Sequence, residues 1–223
     1  MENPKILIYD GSFNGFLTIQ RNTENQKGLF SEAITVFTQM DKARRVWNSI
    51  QGKSNAAIKS IYFAFLSETK GIEFLLYQYI RSMYANPNDN SIDDIAGIIL
   101  KIQQHSRMVA REKHRIEAVA NFTISNDQIQ FSEVTPGFDV LPLISKHFRT
   151  KFKGQEFIIY DRKRKYAIYY NLFTVEIISL ELPSYHNNEV ISQTTLKYLI
   201  NNKLHSQYSK KPQISYLNER AAV

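Results

Sequence analysis

Cysteine is absent from the 223 residues, so the chain can form no disulfide, supply no thiolate to zinc or an iron–sulfur cluster, and use no cysteine nucleophile. Long apolar runs are missing too. Met1 to Asp10 lead into a short strand-like stretch without an apolar leader core, and no segment approaches the ~18 uninterrupted apolar residues of a membrane span. A cytoplasmic protein, neither exported nor membrane-spanning, is expected. Internal repeats and low-complexity segments are also missing, which excludes solenoids and fibrous arrays.

What is present is ordinary in bulk and uneven in placement. Hydrophobic residues make up 43% and charged residues 22% of the chain, a balance that can bury a core. The net charge is +7. Residues 1–100 hold 10 Lys/Arg and 10 Asp/Glu, residues 101–165 hold 13 and 7, and residues 166–223 hold 5 and 4. Six of the seven excess positive charges therefore fall in the middle third. A localised positive field attracts phosphate backbones, anionic lipid or an acidic partner, and phosphate is the commonest of these inside a cell.

Periodicity supplies the elements. Lys5 to Tyr9 read as a buried strand, followed by the Asp10-Gly11-Ser12 turn and a helix carrying Phe13, Phe16 and Leu17. Ile34 to Phe37 form a second β-rich run, and Asp41 is expected to cap the following helix, which contains Val46 and Trp47. Further helices are expected near Ala56 to Leu66 and Gly71 to Tyr84, and Asn86 to Asn90 form a loop. From Ser91, its expected cap, to about Phe122 one long helix is expected, with Ile95, Ile98, Ile102, Val109, Ile116 and Ala120 on its apolar arc and Arg107, Arg111 and His114 opposite. Lys113 falls inside the apolar arc, so it should snorkel or pair internally.

Beyond Phe122 the period becomes alternating. Phe122–Ser125 and Gln128–Val134 read as a hairpin, and Glu156–Tyr160 and Tyr166–Asn171 as a second around Asp161 to Lys165. Asp139 to Phe152 read as a short helix between them. Thr174 to Leu182 extend the sheet, a helix covers about Ser192 to His205, and a polar tail follows. The expected class is α+β, with a helical N-terminal half, a long helix, and an antiparallel sheet or meander in the C-terminal half. The length suits one unit over 1–223, or a division into 1–90, mainly helical with the N-terminal strand, and 91–223, with the long helix and the sheet.

Local signatures of chemistry are sparse. The Asp10 to Gly15 turn lacks a P-loop lysine and dinucleotide spacing, so a capped turn explains it. His105 and His114, nine residues apart, lie about half a turn out of register on a helix and cannot share one ion. His114 and Glu117 can meet, but one pair falls short of a metal set, and no metal-ligating or cofactor-binding residue is assigned. No nucleophile signature occurs. The positive charge is concentrated in three elements that also carry aromatic or histidine rings: Arg111 to Arg115, His147 to Lys153, and Tyr160 to Tyr166. Arginine forks suit phosphate and aromatic faces can stack bases, although Phe148 and Phe152 also suit a core.

At these residues the chain resembles a bacterial family described as "probable DNA metabolism protein", a domain of unknown function. The likeness lies in Tyr9-Asp10-Gly11-Ser12-Phe13 with Gly15-Phe16-Leu17, in Val109 to Arg115 leading to Phe122, in Pro136 with Leu141-Pro142-Leu143, in His147-Phe148 with Phe152, and in Ile159-Tyr160-Asp161 through Arg164 to Tyr169-Tyr170. Tyr216-Leu217-Asn218-Glu219 also resembles the family's ending, whereas Gln207 to Ser215 lacks its usual Trp and Arg. The resemblance implies an association with DNA repair or modification, as a module that stands alone or is joined to a uracil-DNA-glycosylase-like domain and is encoded beside a radical-SAM protein. It implies no catalytic residue.

Three functions remain open. The first is a DNA-associated accessory module in which Arg111, Arg115, Lys151, Arg162 and Arg164 contact phosphates. The second is a nucleic-acid-processing enzyme with His114, His147 and Asp161 converging in one pocket. The third is an interaction subunit for a radical-SAM or DNA-glycosylase-like protein. No membrane partner is expected.

Overall fold

The computed structural model describes residues 6–20, 33–85, 94–179, 196 and 213–216. The chain divides into two units, one of Met1–Val109 with Ser209–Val223 and one of Ala110–Tyr208.

In the first unit, β1 (Ile6–Tyr9) pairs in parallel with β2 (Ala33–Thr35). Between them lies α1 (Phe13–Ile19), whose N-cap Ser12 accepts from the Gly15 N–H at 2.9 Å. Gly15 has no room for a side chain, because a Cβ there would stand 2.2 Å from Asp10 Oδ1. Three helices follow: α2 (Met40–Lys53), α3 (Asn55–Phe65) and α4 (Ile72–Ser82). Their apolar positions recur at helical spacing, and Val46, Ile50, Ile61, Leu76 and Ile80 are all buried. Phe13 joins this core through Trp47, Tyr62 and Phe65, with ring centroids 5.0 to 5.4 Å apart. Asp41 lies in the first turn of α2, and Gln39 rather than Asp41 occupies the cap position.

The long helix α5 (Ile95–Val119) passes from the first unit into the second. Its expected arc is buried at Ile98, Ile102, Val109, Ile116 and Ala120, and Arg107, Arg111 and His114 are exposed. The expected cap Ser91, the Asn86–Asn90 loop and the helix expected at 192–205 lie outside the described residues, apart from the buried, helical Leu196. The expected polar tail holds a strand, β8 (Gln213–Tyr216), antiparallel to β1. Its run Gln-Ile-Ser-Tyr is too short and too polar to announce itself, and pairing to β1 supplies the backbone partners that make it a strand.

The second unit is built on one sheet of five strands in the order β3 (Thr123–Ile124), β4 (Gln130–Val134), β5 (Phe157–Asp161), β6 (Tyr166–Tyr170) and β7 (Val175–Ser179). Both expected hairpins are present and share this sheet. One pairing departs from the antiparallel expectation: β4 and β5 run parallel, joined through α6 (Leu141–Lys151). A connection containing an 11-residue helix is long enough for a parallel crossover, which a hairpin turn is not. The central strands β5 and β6 are buried on both faces. Alternation then sorts their side chains. Ile158, Tyr160, Ala167 and Tyr169 join Ile129, Phe131, Ile178 and Leu196 in one cluster. On the opposite face Phe157 meets Phe148 of α6, with centroids 6.3 Å apart.

Candidate nucleic-acid interface

Within the second unit, α5 meets both of the other basic elements over residues 112–117, about 7 Å of helix axis. The first meeting is at the Pro136-Gly137 turn. Glu112 of α5 accepts the Gly137 N–H on Oε1 at 2.6 Å and is held bidentately by Arg115, at 2.8 and 2.7 Å. From the β5–β6 turn, Lys163 Nζ donates to the Gly137 carbonyl at 3.1 Å. Arg164 donates to the Pro136 and Gly137 carbonyls at 3.2 and 3.3 Å. Helix, loop and hairpin tip are thus tied to two consecutive residues. The Arg115 fork holds the Glu112 carboxyl below its usual range against the opposing effect of burial, and the Gly137 amide helps.

The β5–β6 turn owes its shape to Asp161. Its Oδ1 accepts the backbone N–H groups of Lys163 and Arg164 at 2.9 and 3.0 Å, and its carbonyl accepts from Lys165, whose φ of 60° is left-handed. Arg164 Nη1 closes the arrangement on Asp161 Oδ2 at 2.9 Å, with the arginine side chain 8% and the aspartate 0% exposed. Burial pushes the Asp161 carboxyl up, while Arg164 and the turn amides pull against it. Beside it Tyr166 donates to the buried Asp139, and burial followed by that carboxylate drives the phenol far above its usual range.

The second meeting is at Glu117, 9% exposed near the end of α5. Lys113 Nζ donates to its Oε1 at 2.7 Å, which is the internal pairing expected of a lysine inside the apolar arc. His114 Nδ1 lies 3.1 Å from Oε2, and His147 Nδ1 of α6 lies 4.0 Å from Oε1. One carboxylate is therefore flanked by two exposed imidazoles. An imidazole whose Nδ1 is held by a carboxylate keeps Nε2 for a proton or a phosphate oxygen. Next along α6, Phe148 and Phe152 pack on Phe122 at 5.1 and 4.6 Å, which is the core role open to them in the sequence. Lys151 lies 5.4 Å from the Phe152 centroid, and Arg149 lies 5.2 Å from that of Tyr170.

The residues singled out from sequence separate into three groups. Arg111, Lys151 and Arg162 are exposed, Arg162 facing Glu133 at 3.4 Å. His114 and Arg115 are exposed but anchored to α5 carboxylates, and the exposed His147 lies 4.0 Å from one of them. Asp161 and Arg164 form an ion pair that shapes the hairpin tip, their side chains 0% and 8% exposed. Reading cations from sequence passed over Glu112, and took Glu117 only as a possible partner of His114 rather than as a group that organises the site. Their signal was nevertheless legible, as acid–base pairs three or four residues apart on one helix.

A family model for a domain of unknown function, DUF4130, matches residues 70–218. The chain belongs to the DUF4130 family. The matched stretch contains all of α5, α6 and the five-stranded sheet, and so every residue of this interface. Comparison with curated proteins and with solved structures found no significant match. Among the described residues of this DUF4130 protein, no helix is long and apolar enough to cross a membrane.

Proposed function

We propose that this DUF4130 protein binds nucleic acid, DNA foremost, as an accessory module of DNA repair or modification, and that its second unit makes the contact. One observation carries the reading: the acidic groups interleaved with the cations of α5 and the β5–β6 tip turn to internal partners. Glu112 is taken by Arg115 and the Gly137 amide, Glu117 by Lys113 and the histidines, and Asp161 by Arg164. Meanwhile Arg111, Lys151 and Lys165 are exposed and make no ion pair among the described residues. Carboxylates spent in this way leave a surface that phosphate can approach without like-charge repulsion.

In this reading Arg111, Arg115, Lys151 and Arg162 take phosphates, and Arg164 holds the tip on which Arg162, Lys163 and Lys165 are displayed. The resemblance to the DNA-metabolism family supports DNA as the polymer, a cytoplasmic place of action, and a radical-SAM or glycosylase-like protein as companion. Titrating a labelled oligodeoxynucleotide at increasing salt tests the reading. Affinity should fall linearly on a log–log plot. No binding at low salt, or binding indifferent to salt, would overturn it.

A second reading, a nucleic-acid-processing enzyme, is favoured by His114 and His147 meeting across Glu117. Asp161, the third residue of that reading, is paired with Arg164. If that reading holds, His114→Ala and His147→Ala should each abolish strand or base cleavage while leaving affinity nearly unchanged.

A further inference from the structure

The most exposed large apolar residue among those described is Phe173, at 84%, in the turn between β6 and β7. Water around a whole phenyl ring is unfavourable, and a ring on a floppy loop would fold back onto the nearest apolar surface. This turn holds it out. Asn171 Oδ1 accepts from the Phe173 N–H at 3.1 Å, the Thr174 N–H at 2.8 Å and the Thr174 hydroxyl at 3.2 Å. Its Nδ2 donates to Glu176 at 2.7 Å, and Tyr170 Oη caps the Leu172 carbonyl at 2.7 Å. Leu172 adopts a φ of 76°, a left-handed conformation that a γ-branched residue enters only against a steric penalty. The same tyrosine that caps the turn has Arg149 of α6 over its ring at 5.2 Å. Arg149 in turn lies two residues from Lys151 and from His147.

We propose that the β6–β7 turn is a base-stacking site, in which Phe173 lies against an unpaired base of a single strand whose phosphate is met by Arg149. The proposal rests on the nucleic-acid reading and names the part of the polymer that this end of the surface takes. A rigid aromatic ring beside a cation meets both halves of a nucleotide: the ring takes the π-face, which every base has, and the cation takes the phosphate. Neither half requires a base-specific hydrogen bond, so binding here is tolerant of sequence. Duplex DNA offers its bases only at the edges, so the site favours single strands.

A single-stranded oligodeoxynucleotide carrying 2-aminopurine, and the same strand annealed to its complement, distinguish the outcomes with the full-length protein. The wild-type chain should bind the single strand with a change in 2-aminopurine fluorescence. Phe173→Ala should weaken that binding by roughly tenfold or more, leave the salt dependence unchanged and lose the fluorescence change, whereas Phe173→Trp should restore both. Because the ring makes no core contact, its loss should not unfold the chain, which circular dichroism verifies. Wild-type binding that Phe173→Ala leaves intact would overturn the stacking site while sparing the nucleic-acid reading. Failure of the wild-type chain to bind either strand would overturn both.

Discussion

Arg164 donates from Nη1 to the fully buried Asp161 Oδ2 at 2.9 Å with its own side chain only 8% exposed, and the same arginine spans to the Pro136 and Gly137 carbonyls. In sequence the arginine is one of four consecutive cations at a hairpin tip. In the fold it is the member that faces inward, so the tip is shaped by its least exposed charge.

Arg164→Ala should therefore destabilise the second unit by about 3–5 kcal/mol, because it leaves the Asp161 carboxylate buried without its cation. Burial already raises the carboxyl, so its folded value lies above its unfolded one and the fold loses stability as pH rises through that interval and the group ionises. Removing the arginine enlarges that effect. Urea melts should show the deficit of the variant shrinking as pH falls and the carboxyl takes up a proton. A deficit of the same size at neutral and acid pH would count against this account.

Glu112 behaves in the opposite sense. Its carboxyl is lowered by Arg115, so the stability it contributes is present above the unfolded value and is lost as pH falls through the folded one. Arg115 is half exposed and screened by solvent, which limits the contribution to about 1 kcal/mol. Glu112→Gln should melt earlier than wild type near neutral pH and converge with it in acid. Divergence that grows in acid would show that another group dominates.

Tyr166→Phe removes the hydroxyl that donates to Asp139 in the interior, and should lower stability by about 1–3 kcal/mol. The phenol is raised by burial and by that carboxylate. Its contribution is whole below the ordinary tyrosine value of about 10 and is lost only as pH climbs toward the folded one. Following phenolate absorbance against pH should give wild type and variant the same titration until the chain unfolds. One ionising tyrosine fewer in the variant around pH 11 would contradict the buried hydrogen bond.

Arg111→Ala should weaken binding to any DNA sequence to a similar degree and reduce the slope of log affinity against log salt by about 1. Arg164→Lys makes a useful contrast. It keeps the charge but loses the fork that reaches two carbonyls and a carboxylate, so it should disturb stability first. If the lysine variant is as stable as wild type and alters only the salt slope, Arg164 serves phosphate rather than the fold.

The elements were legible in the chain wherever period and burial agree. The apolar arc of α5, the two hairpins and the helix between them follow from side-chain spacing, because a helix or strand with one buried face must repeat its apolar residues at 3.6 or 2. The inward pairing of Lys113 was legible for the same reason. Less legible were the parallel β4–β5 pairing, which depends on α6 covering the crossover, and β8, which has little apolar pattern of its own and becomes a strand through pairing with β1.

Composition and charge placement alone determined that cysteine chemistry is excluded and that the excess positive charge is concentrated between residues 101 and 165. Those are properties of residues counted along a line. Only the tertiary structure decided which charges face water: Arg162, Lys163, Arg164 and Lys165 share sign and run consecutively, and the Pro136 and Gly137 carbonyls that draw Lys163 and Arg164 inward come from a distant loop. A buried cation needs acceptors on every side, and those that a distant loop supplies are what one-dimensional spacing does not contain.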